Sequence, residues 1–464
     1  MVTIITEVSK YLMMILFACY TYECFSVLQK SGSPDHQKHI LRRQQMFLFL
    51  IHLDAYLVIF AVKQEIQVLA FFVVQELLIC AILLIFRFLY KKASRLVANN
   101  LCMLLVISFI ILTRLSEEKA IRQFTFALIG TIVLLLVPFF IRHIHFLHKL
   151  PYLYAMIGIA MLLLVAVAGK TDYGAKLSFT FGSVSLQPSE FIKILFVFFV
   201  AAMLYHSTEF KQVVITTVLA AFHVLILVVS KDLGSASIFF ITYLVMLYVA
   251  TKNPGYLGLG AAAGSIAAVI AYKLFSHVKV RVVAWKDPLS VIDDQGYQVC
   301  QSLFAIGTGG WFGLGLFGGM PDKIPVADED FIFAAIAEEL GGVFAICVIL
   351  VCASCYLMFL NIAMQINHQF YKLIALGLGT VYGFQVFLTI GGVIKFIPST
   401  GVTLPLVSYG GSSLLSTFII FAVIQGLYII REDEVADEKK NSRTASRRGK
   451  RRAAKERQPY EKER

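Results

Sequence analysis

The chain of 464 residues is 58% hydrophobic and 15% charged, with a mean hydropathy of +0.78. A soluble domain carries about 25% charged residues, so this composition excludes an aqueous globule and makes the bilayer the solvent. The formal net charge of +12 is spread over short loops and one tail, which argues against nucleic-acid binding and for basic loops kept on the cytoplasmic side.

A spanning helix needs about 20 apolar residues. Such runs lie near 9–28, 45–62, 68–89, 97–113, 122–141, 150–168, 190–205, 212–230, 235–250, 256–275, 331–360, 371–393 and 402–430, which predicts about thirteen spans. No small-residue cleavage site follows the first run, so it reads as a retained span and not a signal peptide. The run at 331–360 is longer than a bilayer requires and predicts a tilted or protruding helix. Of the eight cysteines, only Cys300 falls in a long loop; the pair Cys352 and Cys355 lies inside an apolar run, so neither a disulfide framework nor a zinc site is predicted.

Loop charge gives an orientation. Lys30, Lys38, Arg42 and Arg43 follow the first run, Lys91, Lys92 and Arg95 the third, and Arg142, His143, His145 and Lys149 the fifth. Lys211, Lys252 and Lys372 sit in later connections, and placing all of these in the cytoplasm alternates correctly along the chain. The N-terminus is then outside and the C-terminus inside. Four segments share the outer side: 169–189, the turn around Lys231–Ser235, 276–330 and 394–401. Beyond Arg431 the tail begins acidic with Glu432, Asp433 and Glu434 and turns basic through Arg447, Arg448, Lys450, Arg451 and Arg452. It predicts a disordered, solvated cytoplasmic segment over 431–464 that can also touch anionic lipid.

The four outer segments carry motifs in a fixed order. The first is Gly174-Ala175-Lys176, Gly182, then Gln187-Pro188-Ser189-Glu190 with Lys193. The second is Lys231-Asp232-Leu233-Gly234-Ser235-Ala236. The third runs from Gly296-Tyr297-Gln298 through Gly307, Gly309, Gly310, Gly313 and Gly315 to Asp330-Phe331-Ile332-Phe333 and Glu338-Glu339-Leu340-Gly341. The fourth is Pro398-Ser399-Thr400-Gly401, Leu404-Pro405 and Ser408-Tyr409-Gly410-Gly411-Ser412-Ser413. Any one of these is a weak signal. All four in order resemble the SEDS family, the FtsW, RodA and SpoVE type of protein. Three positions depart from its pattern: Ser178 stands where the family usually has Trp, and Asp328 and Glu329 stand where it often has His-Thr.

The resemblance covers about residues 97–430 and implies an all-α polytopic membrane protein with a SEDS-like ten-helix core. About three extra N-terminal transmembrane helices precede it in 1–96, and no functional reading attaches to them beyond an accessory docking or topology role. The implied activity is that of an inverting peptidoglycan glycosyltransferase, which polymerises lipid II at the outer face of the bacterial cytoplasmic membrane for division, elongation or sporulation. The implied partners are lipid II, membrane lipid and a class B penicillin-binding protein.

That reaction joins a sugar hydroxyl to an anomeric carbon and expels undecaprenyl pyrophosphate. It needs a base, cations for the pyrophosphate and an apolar groove for the polyprenyl tails. The family's essential Asp falls at Asp330, at the junction of the long loop and an apolar helix, where a carboxylate also fits a plain helix cap. Lys193, Arg281 and Lys395 are the candidate phosphate contacts. Lys193 also fits a structural ion pair with Glu190, three residues away on the same helix face, and Arg281 and Lys395 also fit interfacial snorkelling. Gln187, Asp232, Gln298 and Ser408 are further candidates for contacts to substrate; Asp232 also fits an N-cap, and Ser408 helix packing.

The glycines between 307 and 318 predict a flexible loop with a lining or hinge role. Asp328 and Glu329 are the acidic neighbours that could hold a divalent cation, Mg or Mn. Two other functions fit the residues. A lipid flippase or transporter would use Glu190, Lys193, Glu338 and Glu339 as a path, and a non-catalytic scaffold would recruit a transpeptidase.

Overall fold

The computed structural model describes residues 2–28, 34–144, 146–172, 175–181 and 184–457. Among these, thirteen helices are long and apolar enough to cross a membrane, the number the apolar runs predict. They begin with α1 (Val2–Ser26), α2 (Pro34–Lys63), α3 (Ile66–Leu84, continued by a π turn to Leu89), α4 (Arg95–Leu115) and α5 (Glu117–His143). Next come α6 (Pro151–Ala168), α7 (Pro188–His206), α8 (Phe210–Val229), α9 (Leu233–Thr251) and α10 (Pro254–Leu274). Two short helices follow, α11 (Ser276–Lys286) and α12 (Tyr297–Gly309), before α13 (Ile332–Gln365), α14 (Gln369–Val393) and α15 (Gly411–Arg457).

Local chemistry sets the starts. Proline opens α6, α7 and α10, where its missing N–H costs nothing. Ser94 caps α4 by accepting from Val97 N, and Ser116 caps α5 by accepting from Lys119 N, with Glu117 and Glu118 in the first turn facing the helix dipole. Asp232 caps α9 by accepting from Ser235 N at 3.0 Å.

Helix α4 is the axis of the bundle. Every residue from Leu96 to Thr113 is buried, because α2, α3, α5 and α13 all pack against it. The N-terminal helices are therefore riveted to the rest of the bundle and not appended to it. Tyr20 donates to Asn100 Oδ1 at 2.9 Å, Asn99 Nδ2 donates to Gln44 Oε1 at 3.0 Å, and the hydroxyls of Tyr56 and Thr113 lie 2.8 Å apart. Between helices, where lipid offers no competing partner, such polar bonds fix register.

Several boundaries depart from the apolar runs. Helix α2 starts at Pro34, well before the apolar run at 45, because its polar first turns leave the apolar layer; Arg43 there pairs with Glu23 at 2.6 Å. The long α13 is broken and not merely tilted: Gly341 has φ 91 and ψ 166, outside the helical region, and the helix resumes beyond it. Residues 402–410 are irregular, with a turn at 405–407, so the last span begins only at Gly411. Beyond Arg431, in the segment expected to be a solvated tail, α15 runs on as helix to Arg457. Segment 169–189 forms a small antiparallel meander, β1 (Lys170–Asp172), β2 (Ala175–Phe181) and β3 (Val184–Leu186), within an otherwise helical protein. Gly174 and Gly182 of the first motif, with Lys30 and His145, lie outside the described residues.

The four motif segments gather at one end of the bundle. Gln187 N donates to Ser412 Oγ at 2.9 Å, Ser189 Oγ to Asp232 Oδ2 at 3.3 Å, and Arg281 Nη1 to Ser399 O at 3.0 Å. At the other end Asp433 is held by Arg142 at 2.9 Å and by Lys92.

Candidate active site

A polar cavity of about 180 Å³ opens where α11 and α12 meet the segments before α13 and after α14. Asp330, Arg281, Gln298, Lys395, Trp285 and Gln295 line it. Four candidates from four separate stretches of sequence therefore line one cavity. Asp330 does not cap α13: that position is held by Phe331, and no side chain caps the helix. Its carboxylate stands near Arg281 across Gly401, whose φ of 71 suits glycine. A β-carbon there would lie 3.6 Å from Arg281 Nη2 and 3.9 Å from Asp330 Oδ2.

The electrostatics suit proton transfer. Burial, then the neighbouring Glu329, pushes the Asp330 carboxyl up to about 7, while Arg281 pulls it back. Arg281 is itself lowered by burial, against the attraction of Asp330 and Asp232. Lys395 sits in a left-handed turn with φ 59 and is fixed by Trp285, whose indole N–H donates to its carbonyl at 3.2 Å. Gln298 Nε2 donates to Pro325 O at 3.0 Å, which orients the side chain along the cavity wall.

The other candidates do not line this cavity and sit in separate polar clusters. Lys193 Nζ donates to Glu190 Oε2 at 2.6 Å and to Gln385 Oε1 at 2.8 Å, and Ser416 Oγ donates to Glu190 Oε2 at 2.8 Å. Gln187 Nε2 donates to Ser189 Oγ at 3.0 Å, and Asp232, raised by burial against its bonds from Ser235, completes the group. Ser408 is occupied: its hydroxyl accepts from Leu404 N at 2.9 Å and donates to Glu329 O at 2.5 Å. These residues hold the turns that carry the cavity; they do not line it.

The glycine-rich segment is pinned by backbone bonds to α13. Leu314 N donates to Glu338 O at 3.0 Å and Gly315 N to Glu339 O at 2.8 Å, through the break in α13. A β-carbon at Gly313 would sit 2.4 Å from Glu339 O, so only glycine permits this approach. Glu338 Oε1 accepts from Met320 N at 3.0 Å, and Glu339 Oε1 accepts from Arg114 Nε at 2.9 Å and from Phe317 N at 3.1 Å. Both glutamates thus fasten the loop.

Asp328 is paired with Lys119 at 2.5 Å, and no group of three His, Cys, Asp or Glu side chains is gathered among the described residues. That donor set does not fit a metal cage.

Beside the polar cavity, an apolar one of about 510 Å³ runs between α9, α13 and α14, with Ile241, Ile349, Phe384 and Phe387 in its walls. The two share the turn after α14. Gly391, Ile394 and Phe396 face the apolar cavity, and Gly392, Lys395 and Ile397 the polar one. Sequence reasoning did not single out Trp285, Gln295 or Gln385. The first two carried a signal, as a rare Trp and a polar residue in the long outer segment; Gln385, inside an apolar run, carried only its polarity.

Relatives agree with this architecture. The sequence profile of the FtsW/RodA/SpoVE family, described as cell cycle protein, matches residues 90–432. The chain is 35% identical over 327 residues to the peptidoglycan glycosyltransferase RodA of Mycobacterium tuberculosis H37Rv, covering 66% of this chain and 70% of that one. It is 33% identical over 321 residues to the stage V sporulation protein E of Bacillus subtilis, covering 65% and 84%. Among solved structures, a chain of a peptidoglycan synthase complex that coordinates polymerization and crosslinking superposes with a TM-score of 0.62 at 24% identity, covering 73% of this chain and 98% of that one. The rod shape determining protein RodA of Thermus thermophilus gives 0.54 at 23% identity, covering 72% and 96%. With a profile match across the whole motif-bearing region, this chain belongs to the FtsW/RodA/SpoVE family.

Proposed function

We propose that the chain is a peptidoglycan glycosyltransferase that polymerises lipid II, with Asp330 as general base. One observation carries this reading: a polar cavity holding a carboxylate raised to about 7 and two cations shares a single turn with an apolar cavity of about 510 Å³. A polyprenyl-pyrophosphate sugar has that division of chemistry, with an apolar tail, a doubly charged linkage and a reacting sugar in sequence.

In the reaction, Asp330 takes the proton of the acceptor's sugar hydroxyl while that oxygen bonds to the donor's anomeric carbon. The anomeric C–O bond to pyrophosphate breaks with inversion. Undecaprenyl pyrophosphate leaves with the electron pair, and Arg281 and Lys395 meet its charge. The proton on Asp330 is lost to solvent before the next cycle. Lys92 and Arg142, paired with Asp433 at the far end of the bundle, support by the positive-inside rule a reading in which that end is cytoplasmic, the cavity is at the outer face, the N-terminus is outside and the C-terminus is inside. A class B penicillin-binding protein is the proposed partner that crosslinks the product.

A divalent cation, Mg or Mn, would enter with the substrate, on its pyrophosphate, and not in a protein cage. Chelation is then expected to slow chain growth while leaving the thermal unfolding of the substrate-free protein unmoved. A cation-dependent rise in its unfolding temperature would contradict this.

The decisive test of function gives purified protein labelled lipid II in detergent, where no bilayer remains to flip across. Glycan chains are the expected product. Headgroup movement in liposomes with no chain growth would instead make the protein a flippase.

A further inference from the structure

Helix α1 lies wholly before residue 90, where the family match begins, yet it packs against the segment that leads to Asp330. That segment is gripped from two sides. On one side is the break in α13. In addition to the bonds of Leu314 and Gly315, Gly342 N donates to Gly310 O at 2.8 Å and Val343 N to Trp311 O at 3.2 Å. On the other side is α1. Lys10 Nζ donates to Gly313 O at 3.3 Å, a β-carbon on Gly315 would stand 2.7 Å from Thr6 Cγ2, and the rings of Tyr11 and Phe312 are 6.0 Å apart.

Lys10 is costly where it stands. Its side chain is 10% exposed on a spanning helix, and its other partners, both on the same helix, are Glu7 at 2.7 Å and the ring of Tyr11, 5.1 Å from the ammonium to the ring centre. Its remaining bonding capacity reaches one backbone carbonyl of the glycine segment. Helix α1 is itself fixed to the core: the rings of Phe17 and Phe344 are 4.4 Å apart, and Tyr20 reaches Ser354 of α13 through Asn100 at 2.9 and 3.2 Å. The piece Ile332–Leu340 therefore has Asp330 just before it and a clamped break just after it.

We propose that α1 is an intramolecular brace for the catalytic carboxylate, with Lys10 as its principal positioning residue. By pressing the glycine segment onto the break in α13, it sets where Asp330 stands in the cavity. This rests on the reading of Asp330 as the base. It assigns to the N-terminal helices a part in the reaction that the family core must obtain in some other way.

The test uses the full chain carrying Lys10→Met. The expected result is a fall in kcat of about 10–100-fold, as for a misplaced catalytic group, with KM within about twofold of wild type. Amides in the stretch around 310–320 should exchange hydrogen faster, and Lys10→Arg should restore both rate and protection. Thr6→Leu overfills the space above Gly315 instead of emptying it; it should give the same kcat loss, and it decides the matter if Lys10→Met fails to assemble. Wild-type kcat in the folded variants, or a loss without faster exchange in that stretch, overturns the brace. Asp330→Asn assayed in parallel separates the two ideas. Full activity there removes the base itself, whereas a dead Asp330→Asn beside wild-type Lys10→Met and Thr6→Leu removes only the brace.

Discussion

Asp330→Asn is expected to slow chain growth on lipid II by about 10²–10⁴-fold while leaving a folded protein, the range lost when a positioned general base is removed. The amide keeps the shape of the carboxylate and cannot accept the hydroxyl proton. Folding should survive for a specific reason. Burial already disfavours the charged carboxylate, pushing it up to about 7, so a neutral amide is no harder to bury. Arg281 keeps an attractive carboxylate in Asp232 and its bond to Ser399 O at 3.0 Å. Chain length by gel and unfolding temperature in detergent read the two halves of the expectation. Growth at the wild-type rate would remove Asp330 from the chemistry.

The second large effect concerns the buried pair beside the cavity. Lys193→Met should cost about 3–5 kcal/mol of stability, because it breaks a buried ion pair by removing one partner and leaves the Glu190 side chain with Ser416 alone. Glu190→Gln combined with Lys193→Met should recover most of that loss, since two neutral side chains of similar shape leave no orphaned charge. Unfolding in denaturant, compared across the two single variants and the double, measures the coupling. A direct phosphate contact would give another pattern: Lys193→Met would unfold like wild type, bind lipid II poorly, and gain nothing from the second substitution. The bonds of Lys193 to Glu190 at 2.6 Å and Gln385 at 2.8 Å favour the first pattern.

Much of the fold was legible because its driving force is local. Apolar runs of bilayer length name the spans one at a time, without any knowledge of packing. The site was legible in part. Asp330, Arg281, Gln298 and Lys395 could be named from motif resemblance and position. That they share one wall depends on α11 folding back to bring Arg281 to Ser399 and Trp285 to Lys395, contacts more than a hundred residues apart in sequence.

The same distance hid the role of the inner candidates. Nothing local says that the Ser408 hydroxyl is consumed by Leu404 and Glu329, or that Gln385 answers Lys193. The glycines at 313 and 315 looked like freedom in the sequence. In the fold they are the condition for backbone contact with Glu338 and Glu339, which is a constraint. The N-terminal helices carried no motif at all, because what they contribute is contact with distant residues: Tyr20 with Asn100, Tyr56 with Thr113, and Lys10 with the carbonyl of Gly313.

The most direct measurement is the pH dependence of kcat/KM for lipid II polymerisation, in the wild type and in Arg281→Gln, from about pH 5 to about pH 9, since that ratio reports the free enzyme's essential groups. With Asp330 ionised as the working base, the rate should fall tenfold per unit on the acid side, about a midpoint near 7. Because the guanidinium favours the charged carboxylate, its loss should move that limb to higher pH. A rate that stays level down to about pH 5, or a limb that Arg281→Gln leaves in place, would contradict the assignment of the proton to Asp330.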